Sequence, residues 1–204
     1  MKQYKCDAIF PTNVLQIDFS DVITKEDQEL MTKSVDELIE GGCYEKTPYH
    51  PKYQTKFILF NDSAPKIWLK LKQTFIESCY FYIKNVDHFT NNTDSMRVID
   101  THAWCYKGWK SLNEEQNNPW HNHNPAFLAG VFYLKIPNNA NCGGTELGDP
   151  RFPECQGTRN FMTSPMEFTW SIFPGWLPHR SVYIDSEEPR YVIAANAYCS
   201  PNHE

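Results

Sequence analysis

The sequence predicts a mainly β protein buttressed by N-terminal helices, and three observations carry that class. From Met96 onward, short apolar or alternating runs (MRVIDTHAWCY, FLAGVFYLKIP, EFTWSIF, SVYI, RYVIAANAYC) are separated by Gly, Pro and Asn clusters, the pattern of an all-β barrel or sandwich. The text between about 20 and 90 instead has apolar residues at helical spacing. The 204 residues are enough for one substantial core, and neither a repeat nor a linker interrupts them. They are therefore read as a single domain, 1–204, with a helical part at about 20–90 and a jelly-roll core at about 95–200.

Taken in order, AIFPTNVLQIDF at 8–19 is an opening strand that Pro11 interrupts, which suits a sheet edge. Thr24 with Asp27 forms a helix N-cap pair, Leu30, Val35, Leu38 and Ile39 give the following helix an apolar face, and Gly41 and Gly42 end it. A second helix is predicted from about Ser63 to Asn85, with Pro65 tolerated in the first turn and Ile67, Leu71, Thr74, Phe75 and Ser78 at helical spacing. Its simplest role is to cover a sheet, since an amphipathic helix buries one face. The β runs follow from Met96. Between the first of them and His121, the polar stretch KGWKSLNEEQNNPW is a loop at the barrel mouth, of a length typical of lids and binding loops.

Composition limits the functions available. A net charge of −6 and a pI near 5.6 argue against nucleic acid as a partner, because neutralising phosphates takes clustered Lys and Arg. The N-terminus MKQYKCDAIFPTN lacks the apolar run of a signal peptide, and no segment reaches the roughly 20 apolar residues of a membrane helix. No membrane partner and a cytoplasmic location are expected. The seven cysteines, Cys6, Cys43, Cys79, Cys105, Cys142, Cys155 and Cys199, form no CxxC pair and are read as reduced thiols, several of them buried.

Four residues carry chemistry. His121 and His123 stand in PWHNHNP, His179 in FPGWLPHRS and Arg190 in EEPRYVI. In an extended segment residues i and i+2 project to one side, so His121 and His123 can grip one ion together while Asn122 faces away. A third imidazole 56 residues beyond His123 closes one face of an octahedron and leaves the opposite face open for small molecules, as in non-haem iron oxygenases. Arg190, 11 residues after His179, offers a permanently charged fork for a carboxylate. His50, His88, His102 and His203 are read as ordinary structural or exposed histidines, His102 being the best candidate among them. Trp104, Trp109, Trp120, Trp170 and Trp176 offer material for a substrate groove, but core packing accounts for most aromatics.

These motifs carry a resemblance. CYKG at 105–108, HNHNPAFLAGVFYL at 121–134, GGTELGDPR at 143–151, FPGWLPH at 173–179 and EEPRYVIAANA at 187–197 stand in the order seen in 2-oxoglutarate and iron(II)-dependent oxygenases. From Ser95 to Ala197, about half the chain, the sequence resembles that superfamily, most closely a small bacterial and phage-borne branch related to prolyl 4-hydroxylases. The resemblance implies a double-stranded β-helix, the cupin-like jelly roll, around one Fe(II). It implies that His121, His123 and His179 bind the metal, that 2-oxoglutarate chelates it, that Arg190 holds the C5 carboxylate, and that Tyr106 and Tyr133 contact the co-substrate. The implied reaction is hydroxylation of an unactivated C–H bond, with a prolyl or other peptidyl side chain as the first substrate class, ahead of a small metabolite or a modified nucleobase. One departure stands out. Most members carry H-x-D, and position 123 is histidine here. The site is then three histidines or draws a carboxylate from elsewhere, Glu146 and Asp149 being the nearest downstream acids. Two other readings use the same histidines: a three-histidine cupin dioxygenase that does without 2-oxoglutarate, and a non-catalytic metal-binding barrel.

Overall fold

The structure is a computed structural model, and it describes residues 11–46, 52–86, 96–110, 118–138, 143–151, 160–182 and 184–201. Cys6, Cys142, Cys155, His50, His88, His203 and the central part of the expected mouth loop, 111–117, lie outside the described residues.

Ten strands and two helices are described: β1 Leu15–Asp18, α1 Lys25–Glu40, β2 Tyr44–Lys46, β3 Lys52–Thr55, α2 Lys66–Asn85, β4 Met96–Gly108, β5 Leu128–Lys135, β6 Thr145–Gly148, β7 Asn160–Met162, β8 Thr169–Pro174, β9 His179–Ser181 and β10 Arg190–Pro201. Seven of the strands form an antiparallel sheet in the order β1-β8-β5-β10-β4-β3-β2, and three form a smaller one in the order β7-β6-β9. Two such sheets face to face make the expected double-stranded β-helix, with helices on the outer face of the larger sheet. As Pro11 suggested, β1 is an edge.

The absence of alternation in FLAGVFYL and YVIAANA now has its cause. Every residue from Leu128 to Leu134 and from Arg190 to Ala197 is buried, because the large sheet is covered on both faces. On the helix side Leu128, Phe132, Leu134, Ile193, Ala195 and Ala197 join Trp68, Leu71 and Phe75 of α2 and Met31 and Val35 of α1 in the main core. On the other side Ala129, Val131, Tyr133 and Val192 meet Leu147 of the small sheet and Leu177. Gly130 makes the helix-side contact possible, since a Cβ there would come within 2.6 Å of the Phe75 ring.

α1 begins as expected. Thr24 accepts from the Asp27 backbone and Asp27 accepts from the Thr24 N–H, a complete capping box. Leu30, expected on the apolar face, is 51% exposed, and Gln28, Met31 and Val35 are buried instead. The buried stripe is thus rotated by about one position, and Gln28 joins it because its amide donates to the Leu134 carbonyl of β5. α2 starts at Lys66 with Pro65 as its N-cap, three residues later than Ser63. Its buried face adds Trp68, Cys79, Tyr82 and Ile83 to Leu71, Thr74, Phe75 and Ser78. Among the described residues Cys43, Cys79, Cys105 and Cys199 are free thiols.

Candidate metal centre

His121 and His179 face each other across an isolated antiparallel bridge, with N–H···O distances of 3.1 and 2.8 Å between their backbones. His123 sits two residues on, where its N–H donates to the Gly175 carbonyl at 2.7 Å and its own carbonyl accepts from Ala126 at 2.8 Å. Glycine is required at 175, because a Cβ would stand 2.0 Å from the Ala126 carbonyl oxygen. The FPGW turn thereby packs directly against the segment that carries His123.

The side chains converge. The candidate ligand atoms of His121, His123 and His179 all lie within 4.8 Å of one another. Each Nδ1 is engaged by an oxygen: Pro119 O at 2.9 Å for His121, Leu177 O at 2.9 Å for His179, and the Asn196 amide oxygen for His123. A carbonyl oxygen accepts and cannot donate, so each Nδ1 carries the proton and each Nε2 presents a lone pair. The Nε2 atoms of His123 and His179 are 3.1 Å apart, about the separation of two adjacent octahedral ligands on bonds of about 2.1 Å. Two lone pairs at that distance repel unless a cation lies between them. Burial, with the charge of its histidine neighbours, drives the His179 pKa down to about 3. Burial, opposed by the Asn196 hydrogen bond, leaves that of His123 at about 4. Both rings are therefore neutral near pH 7, the form that binds a metal. This donor set fits a divalent transition metal.

The two acids raised by the H-x-H departure are engaged elsewhere. Glu146 accepts from Arg180 and Asn160 at 2.6 Å each, and Asp149 holds Arg151 through two oxygens at 2.9 and 2.7 Å. Arg180 also lies over the Trp120 ring at 4.8 Å, so the Glu146 pair braces the residue next to His121. His102 pairs with Asp100 at 3.1 Å and stands apart from the triad.

A cavity leads from the histidines, with residues of β4, β10 and β5 in successive levels as one wall. Arg190 pairs with Gly108 at its far end. Val192 follows, flanked by Tyr106 and Tyr133, then Ala194, flanked by Trp104 and Val131. Asn196, pairing with His102 and Ala129, closes the series where it holds His123. Arg190 is 5% exposed, and its guanidinium donates to the Gly143 carbonyl, to Ser181 Oγ at 3.0 Å and to the Val182 carbonyl at 3.3 Å. Tyr133 is buried, its hydroxyl 3.0 Å from that of Thr145 and 3.4 Å from that of Thr163. Burial pushes the Tyr106 pKa up, and the neighbouring Trp104 indole works against that rise. All six residues expected at the site therefore border one cavity. Thr145, Ser181 and Asn196 were not anticipated.

Comparison with known proteins agrees with this geometry. Residues 107–196 match the family model described as "Putative 2OG-Fe(II) oxygenase". The fold is similar to a prolyl hydroxylase from Trichoplax adhaerens, solved with a hypoxia-inducible-factor oxygen degradation domain peptide (TM-score 0.61, 11% identity, 91% of this chain and 83% of that one). It is similar to a Pseudomonas putida prolyl-4-hydroxylase (TM-score 0.60, 8% identity, 92% of each chain). It is also similar to the Arabidopsis thaliana dioxygenase for auxin oxidation in its 2-oxoglutarate complex (TM-score 0.61, 14% identity, 94% and 85%). No curated protein sequence matches this chain significantly. Over residues 107–196 the chain is therefore similar to that oxygenase family, and the described fold and histidine cluster agree with the similarity. The three histidines are a donor set that fits Fe(II), the metal in that family's description.

Proposed function

We infer that the protein is an Fe(II)- and 2-oxoglutarate-dependent dioxygenase that hydroxylates an unactivated C–H bond, with His121, His123 and His179 as the metal ligands. The observation that carries this is the tautomer set: all three Nδ1 atoms face oxygen acceptors, which directs every Nε2 at one point. Arg190 holds the C5 carboxylate of 2-oxoglutarate at the far end of the cavity. Its fork is oriented beforehand by Gly143, Ser181 and Val182. Tyr133, fixed by Thr145, and Tyr106 flank the co-substrate between these ends. With metal and co-substrate bound, the site supplies oxidative decarboxylation, in which dioxygen gives one oxygen atom to succinate and one to the substrate with release of carbon dioxide. The chain's own residues contribute binding, orientation and exclusion of water.

A prolyl or other peptidyl side chain is the substrate class we favour. Phe57, 46% exposed, packs on Trp104 with ring centroids 4.5 Å apart, and Trp176, 46% exposed, sits beside Gly175, whose carbonyl holds His123. Two partly exposed aromatics, one packed on a wall residue of the cavity and one in the turn that holds His123, offer flat apolar surface for a pyrrolidine ring. The related fold from Trichoplax adhaerens was solved with a peptide. The test is succinate formation from 2-oxoglutarate by the Fe(II)-loaded protein, with and without proline-containing peptides. Peptide-stimulated turnover that His179→Ala abolishes is expected. Basal succinate that no peptide stimulates would sink the peptidyl reading, and no succinate under any condition would sink the oxygenase.

A further inference from the structure

Among the described residues, the buried side-chain polar atoms with no hydrogen-bond partner are Thr101 Oγ1 and Trp104 Nε1. Strand alternation places Thr101 with Ala103 and Cys105 on the helix side of β4. Trp104 faces the other way, lines the cavity and is 4% exposed. Its indole is close enough to the Tyr106 hydroxyl to restrain that group's pKa, yet no acceptor stands in hydrogen-bonding geometry to it. An indole N–H is a donor and nothing else, so the partner it lacks is an acceptor.

Two rings pack on it. It stacks on His123 with centroids 5.5 Å apart and planes 16° from parallel, and the Phe57 ring is tilted against it at 59° with centroids 4.5 Å apart. Along β4 it stands two residues, or about 7 Å, nearer the histidines than Tyr106, level with Ala194 rather than Val192. The ring thus stands at the histidine end of the cavity with Arg190 at the other, and its N–H opens into the cavity between them. A 2-oxo dicarboxylic acid with its far carboxylate on Arg190 brings its other carboxylate to that place.

We propose that the Trp104 indole N–H donates a hydrogen bond to the metal-end carboxylate of the bound 2-oxo acid, which makes Trp104 a co-substrate-binding residue. The assignment rests on the reading of the site as one for Fe(II) and 2-oxoglutarate. Its test needs no turnover. The full-length protein, loaded anaerobically with Mn(II), is titrated calorimetrically with 2-oxoglutarate as wild type and as Trp104→Phe, which keeps a flat ring on His123 and removes the N–H. The variant is expected to bind 2-oxoglutarate about 10- to 100-fold more weakly, the range for a hydrogen bond to a charged acceptor, with unchanged Mn(II) affinity. In parallel, Zn(II)-loaded protein labelled with 15N-tryptophan is titrated with 2-oxoglutarate and its indole N–H resonances followed. The Trp104 resonance, identified as the one Mn(II) broadens most, is expected to shift downfield.

Wild type that binds Mn(II) but not 2-oxoglutarate overturns the underlying reading of the site. Wild type that binds 2-oxoglutarate while Trp104→Phe matches it overturns the Trp104 assignment alone. So does weaker binding in the variant with an unmoved resonance in wild type, since the ring then acts through packing on His123. A resonance that moves with the peptide substrate and not with 2-oxoglutarate also overturns it. If Trp104→Phe does not fold, the wild-type resonance decides by itself.

Discussion

Asn196 sits in the middle of β10, where its amide oxygen takes the Nδ1 proton of His123. A metal-bound imidazole depends on such a partner for its tautomer and ring orientation, and losing one typically costs 10- to 100-fold in metal affinity or activity. Asn196→Ala is expected to weaken Mn(II) binding by about that factor in a chelator competition. Asn196→Asp, which retains an oxygen acceptor, should restore most of it. Equal affinities for all three proteins would show that His123 needs no such support. Arg190 allows a complementary measurement. Lys lacks the planar fork that spans Gly143, Ser181 and Val182, so Arg190→Lys should raise the 2-oxoglutarate Kd about 10-fold or more while leaving metal affinity unchanged in calorimetry. The histidines and Arg190, which border one cavity, were singled out in the sequence because their chemistry is restricted and their spacing informative. Asn196, Thr145 and Ser181 were not, because small polar residues within strands acquire a role from partners that lie far off in sequence. Trp104 was recognised as an aromatic, but its orphaned donor emerges from packing alone.

α1 is fastened to the barrel by a few charged contacts at its start. Lys25 pairs with Glu167, whose other oxygen accepts from the Ile136 N–H at 2.8 Å, and Lys70 of α2 pairs with Asp27. Burial alone would raise the pKa of Glu167, but the Lys25 ammonium, the Ile136 N–H and the Gln28 amide outweigh it and hold the carboxyl below its usual 4.5. A carboxylate with a depressed folded pKa adds stability above its unfolded value, and that stability is lost as pH falls through the folded one. Glu167→Gln should therefore unfold at lower urea than wild type at pH 7, and the gap should close as pH drops below about 4.5. A gap independent of pH would mean that shape, not charge, fastens the helix. Thr24→Ala removes one half of the capping box and should cost about 1 kcal/mol at any of these pH values. Helix starts of this kind are readable because capping is local. The strands β2, β3, β6 and β7, with sequences YEK, KYQT, TELG and NFM, were not anticipated, because segments of three or four residues carry too little alternation to stand out from a loop.

At the scale of the whole molecule, the three histidines belong to two different bodies. His179 opens β9 of the small sheet, and His121 is bridged to it. His123 is tied through Asn196 to β10 in the middle of the large sheet. A metal held by all three would join the sheets at the mouth of the barrel, where β6 and β9 otherwise rest on Leu147, Leu177 and a few hydrogen bonds. A ligand that binds the folded state and not the unfolded one stabilises it by RT ln(1 + [L]/Kd), about 2.7 kcal/mol at 100 times Kd. Mn(II) at that excess should accordingly raise the thermal midpoint by several degrees, with His179→Ala showing no metal-dependent rise. The location of the gain tests the bridging itself. Amide exchange should slow most in β6 and β9 and least in β1, which lies at the far edge of the large sheet and receives no ligand. If protection rose equally in β1 and β9, the metal would be stabilising the fold as one unit. Protection confined to the small sheet would show that this sheet opens on its own until the metal closes it, so that site assembly and barrel closure are one event.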